Sequence, residues 1–461
     1  MGGLPTVSAI SDQIFRQYDI RGIFNENLTT NDAELIGRAF GTYVKRKGES
    51  TAIVGRDNRK SSPPLHDSLV KGLLETGIDV IDIGVVTTPI FYYSTYNFNV
   101  SCGIMITASH NPAQYNGFKV QGFGSTLCGE QLQEIKKIAN SGDFEKGNGK
   151  LVYKSPVDDY INMISDKIKL GDRKLKIVVD CGNGTAGLFA QRIYESLGCS
   201  VIPLYCESDP DFPNHFPDPT QYENLKDLIK AVREHEADVG LGFDGDGDRL
   251  GVVDKDGSVI WGDMLMILFW REILPKYPGT HCIVEVKCSD LLVDEIKKLG
   301  GKPVFYKTGH SLIKAKMKEL NAVFTGEMSG HMFFADEYYG YDDAFYAGAR
   351  LLRILSNTDK SIGELLADVP KVYSTPEIRV KCDENEKISY VEKAKRYFIN
   401  KGLEIISVDG VRAVFKDGWG LVRASNTGPE LIVRCEAKTQ ESFKNIKDEI
   451  CKSISPLQIV W

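Results

Sequence analysis

No apolar run in this chain approaches the length of a membrane span. The longest, Met264-Leu265-Met266-Ile267-Leu268-Phe269-Trp270, is the size of a buried core segment. Nor is there a Cys-x-x-Cys pair among the ten cysteines, which disfavours a zinc cluster or a disulfide framework and fits reduced thiols in the cytoplasm. Charge of one sign is never concentrated: 56 Lys+Arg stand against 63 Asp+Glu, for a formal net charge of −7. That balance argues against a nucleic-acid partner and leaves any phosphate to locally placed basic residues. The first residues show neither a charged leader nor a long apolar stretch, so no export is expected. Met1-Gly2 with Thr6 fits a myristoylation pattern, but Pro5 lies inside it and so short a match arises by chance, so no membrane partner is expected. Gly-x-Ser-x-Gly is also absent, which excludes the nucleophile elbow of an α/β-hydrolase.

What is present is a pattern repeated three times. At 461 residues the chain exceeds what one core usually organises, so several domains are expected. Strands are predicted at 51–54, 79–83 and 103–107 with a helix over 65–75; at 176–180, 201–205 and 238–243; and at 282–286, 303–306 and 322–325. Each third strand runs into an unusual polar loop: Thr107-Ala108-Ser109-His110-Asn111-Pro112, then Asp244-Gly245-Asp246-Gly247-Asp248-Arg249, then Gly326-Glu327-Met328-Ser329-Gly330-His331. In open α/β sheets ligands gather beyond the carboxyl ends of strands, so the three loops are expected at one cleft. The last ninety or so residues read differently, with a strand at 377–381, a helix at 387–400, short strands to 433 and a helix at 440–454. Turn chemistry puts domain boundaries near 155, 257 and 370, giving three α/β domains at 1–155, 156–257 and 258–370 and a smaller α+β domain at 371–461.

Each loop has an ordinary reading beside its chemical one. Ser109 in Ser-x-Asn-Pro is common turn chemistry, and its place on a repeat with other reactive loops is what favours a nucleophile. Asp244, Asp246 and Asp248 alternate with glycines that let three carboxylates fold around one hard cation. An EF-hand would need Gly at Arg249 and Glu at Lys255, so a calcium module is disfavoured. A haloacid-dehalogenase-type phosphotransferase with Asp244 as nucleophile is a sharper rival, weakened because that pattern has Thr where Asp248 stands. Arg249 could neutralise phosphoryl oxygens or simply bridge to Asp248. Gly182-Asn183-Gly184-Thr185-Ala186-Gly187, followed by Glu207, formally matches a dinucleotide fingerprint, with a tight strand-to-helix turn as the alternative.

Glu327 and Ser329 offer an ionised and a neutral group to adjacent sugar hydroxyls, or cap a loop. Arg423-Ala424-Ser425-Asn426-Thr427-Gly428 has the composition of a phosphate cradle, or of a polar hairpin. Lys119, Lys287, His110, His310 and His331 say little singly.

Taken together these motifs resemble, in register over nearly the whole chain, the α-D-phosphohexomutases, specifically the bacterial phosphomannomutase/phosphoglucomutase branch. Tyr18-Asp19-Ile20-Arg21-Gly22 resembles that family's N-terminal active-site turn, and the loops at Ser109, Asp244, Glu327 and Arg423 resemble its phosphoserine, magnesium, sugar and phosphate loops. The resemblance implies three related α/β domains with mixed sheets and a C-terminal domain of TATA-binding-protein-like topology around a central cleft. It implies phosphorylation of Ser109, and Mg²⁺ held by Asp244, Asp246, Asp248 and a phosphoserine oxygen. It places Lys119, His310 and Arg21 near the transferred group, where proton transfer is proposed, and makes Arg249 and Lys287 substrate contacts, with Tyr18 and His331 on the substrate-binding side. Glu327 and Ser329 would bind O3 and O4, and Arg423, Ser425, Asn426 and Thr427 the phosphate that is not reacting. The implied reaction moves a phosphoryl group between C1 and C6 of a glucose or mannose phosphate through a hexose 1,6-bisphosphate. Tyr115 stands where phosphoglucosamine mutases resemble one another in having Asp, which turns the expectation away from that sibling and leaves an amino-sugar side activity open. A monomer is compatible with all of this, and the oligomeric state is left open.

Overall fold

The computed structural model describes residues 10–425 and 428–461, so Asn426 and Thr427 lie outside the described residues. The chain divides into two compact units. One comprises residues up to 262 with 310–315 and 329–363; the other comprises 263–309, 316–328 and 364–461.

The first unit holds two mixed sheets built on one plan. In the seven-stranded sheet Thr51–Arg56 lies parallel to Asp79–Val85 on one side and to Gly103–Ile106 on the other, and Gly103–Ile106 then pairs antiparallel with Tyr115–Gly122. In the five-stranded sheet Lys176–Asp180 lies parallel to Ser200–Leu204 and Val239–Phe243, and Val239–Phe243 pairs antiparallel with Leu250–Asp254. Gly103–Ile106 and Val239–Phe243 are buried at every position, as strands covered on both faces must be. Each reactive loop is therefore the tight link from a parallel strand to an antiparallel return strand, which fixes both of its ends in a sheet.

The return strands escape the sequence pattern for a physical reason. Tyr115–Gly122 buries Asn116, Lys119 and Gln121, so its polar side chains disguise a central strand. Helices flank the first sheet with ordinary start signals. Thr29 and Asp32 form a capping box for Thr30–Arg46, and prolines sit at the start of Ser62–Glu75. The core between them includes Ile36, Phe40, Val54, Leu69, Ile104 and Phe118.

In the second unit His281–Glu285 runs parallel to Lys302–Tyr306, and Thr325 Oγ1 in Phe324–Gly326 donates to Ile283 O at 2.8 Å. The C-terminal part is an α+β fold. Glu404–Ile406, Val411–Phe415, Gly418–Ala424 and Glu430–Ala437 form an antiparallel sheet in that order, joined by Ile378–Lys381 on Glu430–Ala437. Alternation along the strands sends Val411, Ala413, Val422, Leu431 and Val433 into a core with Val391, Phe398, Ile446 and Ile450 from the helices Lys387–Asn400 and Gln440–Ser453. The intervening positions put Arg412, Arg423 and Arg434 on the sheet's other face, all buried.

Candidate active site

Ser109 is buried and adopts φ 51°, a left-handed backbone that residues other than glycine rarely take. Its amide donates to Thr107 Oγ1 at 2.9 Å, and its hydroxyl donates to Asp244 Oδ2 at 2.6 Å with His110 Nδ1 at 3.1 Å. The two loops meet backbone to backbone. A Cβ at Gly245 would lie 2.4 Å from Ser109 O, so that position admits no side chain, and one at Gly184 would lie 3.0 Å from Gly245 Cα, a tight contact that Gly245 would have to relieve.

The carboxylates of Asp244, Asp246 and Asp248 are fully buried, with one oxygen from each within 4.8 Å of the others. Asp244 Oδ1 accepts the amides of Asp248 and Arg249 at 3.0 and 3.1 Å, which curls the loop onto its own first residue. Asp246 Oδ2 accepts from Thr88 Oγ1 at 2.6 Å and Lys119 Nζ at 2.7 Å, and Lys119 Nζ also lies 2.5 Å from Asp248 Oδ2. Asp246 Oδ1 and Asp248 Oδ1 are buried without a hydrogen-bond partner. Two orphaned anionic oxygens in an all-oxygen set are what a hard divalent cation would satisfy, so the residues fit a metal. Burial opposes the charge on Lys119, but Asp246 and Asp248 outweigh it and hold its pKa well above the ordinary value. Burial, followed by the charges of Asp248 and Asp246, pushes the Asp244 carboxyl well up, a cost that a bound cation would remove.

Beside these loops stand two stacked imidazoles, His310 and His331, with ring centroids 5.5 Å apart. His331 Nδ1 is 3.0 Å from Asp342 Oδ2, and its Nε2 accepts from Arg249 Nε at 3.0 Å. Asp342 is in turn held by Lys314 at 3.0 Å and lies 3.6 Å from His310 Nδ1. Burial holds the His310 pKa well below its ordinary value against the opposing charge of Asp342, with the nearby Lys314 and Lys119 charges adding to the depression, so the ring is neutral. Arg21 NH1 donates to Asn111 Oδ1 at 2.5 Å and NH2 pairs with Asp19, which ties the N-terminal turn to the Ser109 loop; Tyr18 packs edge-on to His310.

In the second unit Lys287 Nζ is bonded to Glu377 at 2.7 Å and lies 4.0 Å from Glu285. Lys287 lowers the Glu377 carboxyl to about 2 against the opposing effect of burial. Arg423 Nε donates to Asp409 Oδ2 at 3.0 Å, and Glu327 Oε1 accepts the Gly309 amide at 2.6 Å. Ser425 Oγ accepts the Gly428 amide at 3.2 Å. Two further arginines clamp the backbone at Lys287: Arg412 donates to Val286 O and Cys288 O at 2.6 and 2.8 Å, and Arg434 donates to Lys287 O. The guanidinium of Arg412 lies 3.7 Å above the Trp419 ring.

Known proteins carry the same organisation. Family models described as phosphoglucomutase/phosphomannomutase alpha/beta/alpha domains I, II and III match residues 12–146, 158–257 and 261–373, and the C-terminal domain model matches 377–453. A phosphomannomutase/phosphoglucomutase of Pseudomonas aeruginosa is 46% identical over 443 residues, covering 96% of this chain and 95% of the relative. The chain belongs to the phosphoglucomutase/phosphomannomutase family. A Neisseria gonorrhoeae phosphoglucomutase is 43% identical over 99% of this chain and 100% of its own length. The crystal structure of a phosphoglucomutase/phosphomannomutase family protein from Burkholderia thailandensis superposes with a TM-score of 0.91 at 40% identity, covering 98% of this chain and 100% of that one.

For this family member, the dinucleotide and haloacid-dehalogenase readings lose their footing in the geometry. The amides of Gly182, Asn183, Gly184, Thr185 and Gly187 donate to Asp180, Tyr205, Cys181, Gly245 and Gly184, so the glycine loop has already spent the donors a pyrophosphate would need. A Cβ at Gly187 would lie 2.2 Å from Cys206 O; its glycine serves packing. Both oxygens of Asp244 face Ser109 and its own loop. Ser109, Lys119, Arg21, Arg249, His310, His331, Ser329 and the three aspartates fall in the first unit, and Lys287, Glu327, Arg423 and Ser425 in the second. Sequence reasoning missed Arg59, Asp342, Lys314, Glu285, Glu377, Asp409, Arg412 and Arg434. Only the adjacent pair Asp342-Asp343 inside an aromatic run carried a visible signal.

Proposed function

We propose that this chain interconverts the 1- and 6-phosphates of glucose and mannose through a phosphoserine at Ser109. The observation that carries the reading is the Ser109 hydroxyl, set 2.6 Å from one carboxylate of a buried three-aspartate site. A hydroxyl of the substrate attacks phosphorus, the Oγ–P bond breaks, and the hexose 1,6-bisphosphate that forms reorients before returning its other phosphoryl group to Ser109. Asp244, Asp246 and Asp248, with an oxygen of the phosphoserine, would hold Mg²⁺, which supplies charge neutralisation to the transferring group. Lys119, which remains an ammonium, and the Arg21 and Arg249 guanidiniums stabilise the same charge. His310, neutral through burial, is the group suited to take the proton of the attacking hydroxyl, whereas His331 has Nδ1 at Asp342 and its Nε2 lone pair already accepting from Arg249.

Glu327 and Ser329 grip O3 and O4, Arg423, Ser425, Asn426 and Thr427 receive the phosphate that is not reacting, and Lys287 is a further substrate contact. These handles look alike whether C1 or C6 is presented. Four domains bounded near 155, 257 and 370 divide the work. All ten cysteines stand as free thiols and no helix among the described residues is long and apolar enough to cross a membrane, which supports a cytoplasmic enzyme with hexose phosphates as partners.

A coupled assay with a trace of hexose 1,6-bisphosphate tests the reading. Glucose and mannose 1-phosphates are expected to give kcat/KM values within about tenfold, a gap of roughly 1.4 kcal/mol, because neither proposed anchor senses C2. Galactose 1-phosphate inverts C4 and should be poor, since a site built to bond a hydroxyl leaves polar groups unpaired when that hydroxyl moves. Efficient galactose turnover would refute the O3/O4 assignment. Arg423→Ala should raise KM for both good substrates about tenfold or more with kcat nearly unchanged, and a change in kcat alone would mean the residue had been misplaced.

A further inference from the structure

We propose that Arg59 is the positioning residue that holds Ser109 in its reactive backbone conformation, an inference that rests on Ser109 being the phosphorylated residue. Arg59 is 1% exposed and lies between the strand Thr51–Arg56 and the helix Ser62–Glu75. Its guanidinium is fully engaged. NH2 donates to Ser109 O at 2.8 Å and Asn111 O at 2.7 Å, NH1 to Pro112 O at 2.7 Å and Tyr115 O at 3.1 Å, and Nε to Asp57 Oδ2 at 3.1 Å. Asp57 also accepts the Arg59 amide at 3.1 Å, and the guanidinium packs over the Phe212 ring.

Three carbonyls of the Ser109 loop and that of Tyr115, which opens the next strand, are thus turned inward onto a single planar fork. Among the described residues no other buried cation donates to these carbonyls. A left-handed residue other than glycine persists only where its surroundings over-determine it, and at Ser109 those surroundings are the Arg59 fork, the Thr107 hydroxyl and the close approach of Gly245. Remove the fork and the carbonyls of Ser109 and Asn111 lose their buried donor, the loop relaxes, and the Ser109 hydroxyl leaves its place at Asp244. An ammonium has three donors at one point and cannot satisfy four carbonyls and a carboxylate, so lysine is no conservative replacement here. Arg59 itself touches neither substrate nor reacting atoms, and its effect passes through Ser109.

The test uses the full chain with Arg59→Lys and Arg59→Ala. Both are expected to lower kcat at least 100-fold with KM within threefold, and to slow phosphorylation of Ser109 by glucose 1,6-bisphosphate, read by intact mass, in the same proportion. Methylguanidinium should restore Arg59→Ala at least tenfold, and methylammonium should not. Arg350→Gln, which removes an equally buried guanidinium bonded to Asp336, is expected to lower the melting temperature while leaving kcat within threefold. Where Arg59→Ala fails to fold, Arg59→Lys carries the comparison. Arg59 variants with kcat and Ser109 phosphorylation near wild type, or with a raised KM in place of a lowered kcat, would overturn the proposal. A wild-type chain without phosphoserine or mutase turnover would instead overturn the function on which it rests.

Discussion

Ser109→Ala is expected to lose nearly all turnover, on the order of 10⁴-fold or more, because it removes the hydroxyl proposed to carry the phosphoryl between the two ends of the sugar. Its hydroxyl is the only one hydrogen-bonded to Asp244 in the carboxylate site among the described residues, and its loop is fixed at both ends by strands. Purified wild-type protein should carry an acid-stable phosphate at Ser109, found by intact mass and peptide mapping, and the variant should carry none. Substrate binding should survive, since the groups proposed for the distal phosphate and the sugar lie elsewhere in the chain. A hydroxylamine-labile phosphate on Asp244, or an active Ser109→Ala enzyme, would return the dehalogenase-type mechanism to favour.

Asp246→Asn should cost about 10² to 10³ in kcat, roughly 3–4 kcal/mol, through two losses that act together. One of three carboxylates leaves the site proposed for the cation, and Lys119 loses one of the two carboxylates it is paired with. With charge removed the site should also need more Mg²⁺, so the activating concentration rises as maximal activity falls. Titration of activity with Mg²⁺ after chelation, for wild type and variant side by side, reads both effects. Full activity of the variant in EDTA would dismiss the metal assignment.

The parts of the fold that were legible in the sequence are those with a one-sided or fully apolar pattern. Lys176–Asp180 and Val239–Phe243 announce themselves, as do the helices Lys387–Asn400 and Gln440–Ser453. Tyr115–Gly122 did not, because burying Asn116, Lys119 and Gln121 reverses the usual relation between polarity and exposure. The site divides the same way. Ser109 and the aspartates sit in compact loops with glycine and proline punctuation, whereas Arg59 and Glu285 belong to no such loop and Asp342 showed only as an acidic pair with Asp343. Arg412 and Arg434 belong to no sequence motif and are wedged on Trp419 and on carbonyls distant in sequence.

The stacking of Ser109, Gly245 and Gly184 backbones, with no side chain between them, has a consequence for how such a chain can change. Side chains can adjust to a substitution by turning to another rotamer; three nested main chains have no such freedom, and Gly245→Ala would force the loops apart. The three loops therefore behave as one heritable block. Grafting the Ser109 loop or the aspartate loop from a relative into this chain should succeed when all three are transferred together and fail when any one is exchanged alone, even where each graft is accepted in its parent.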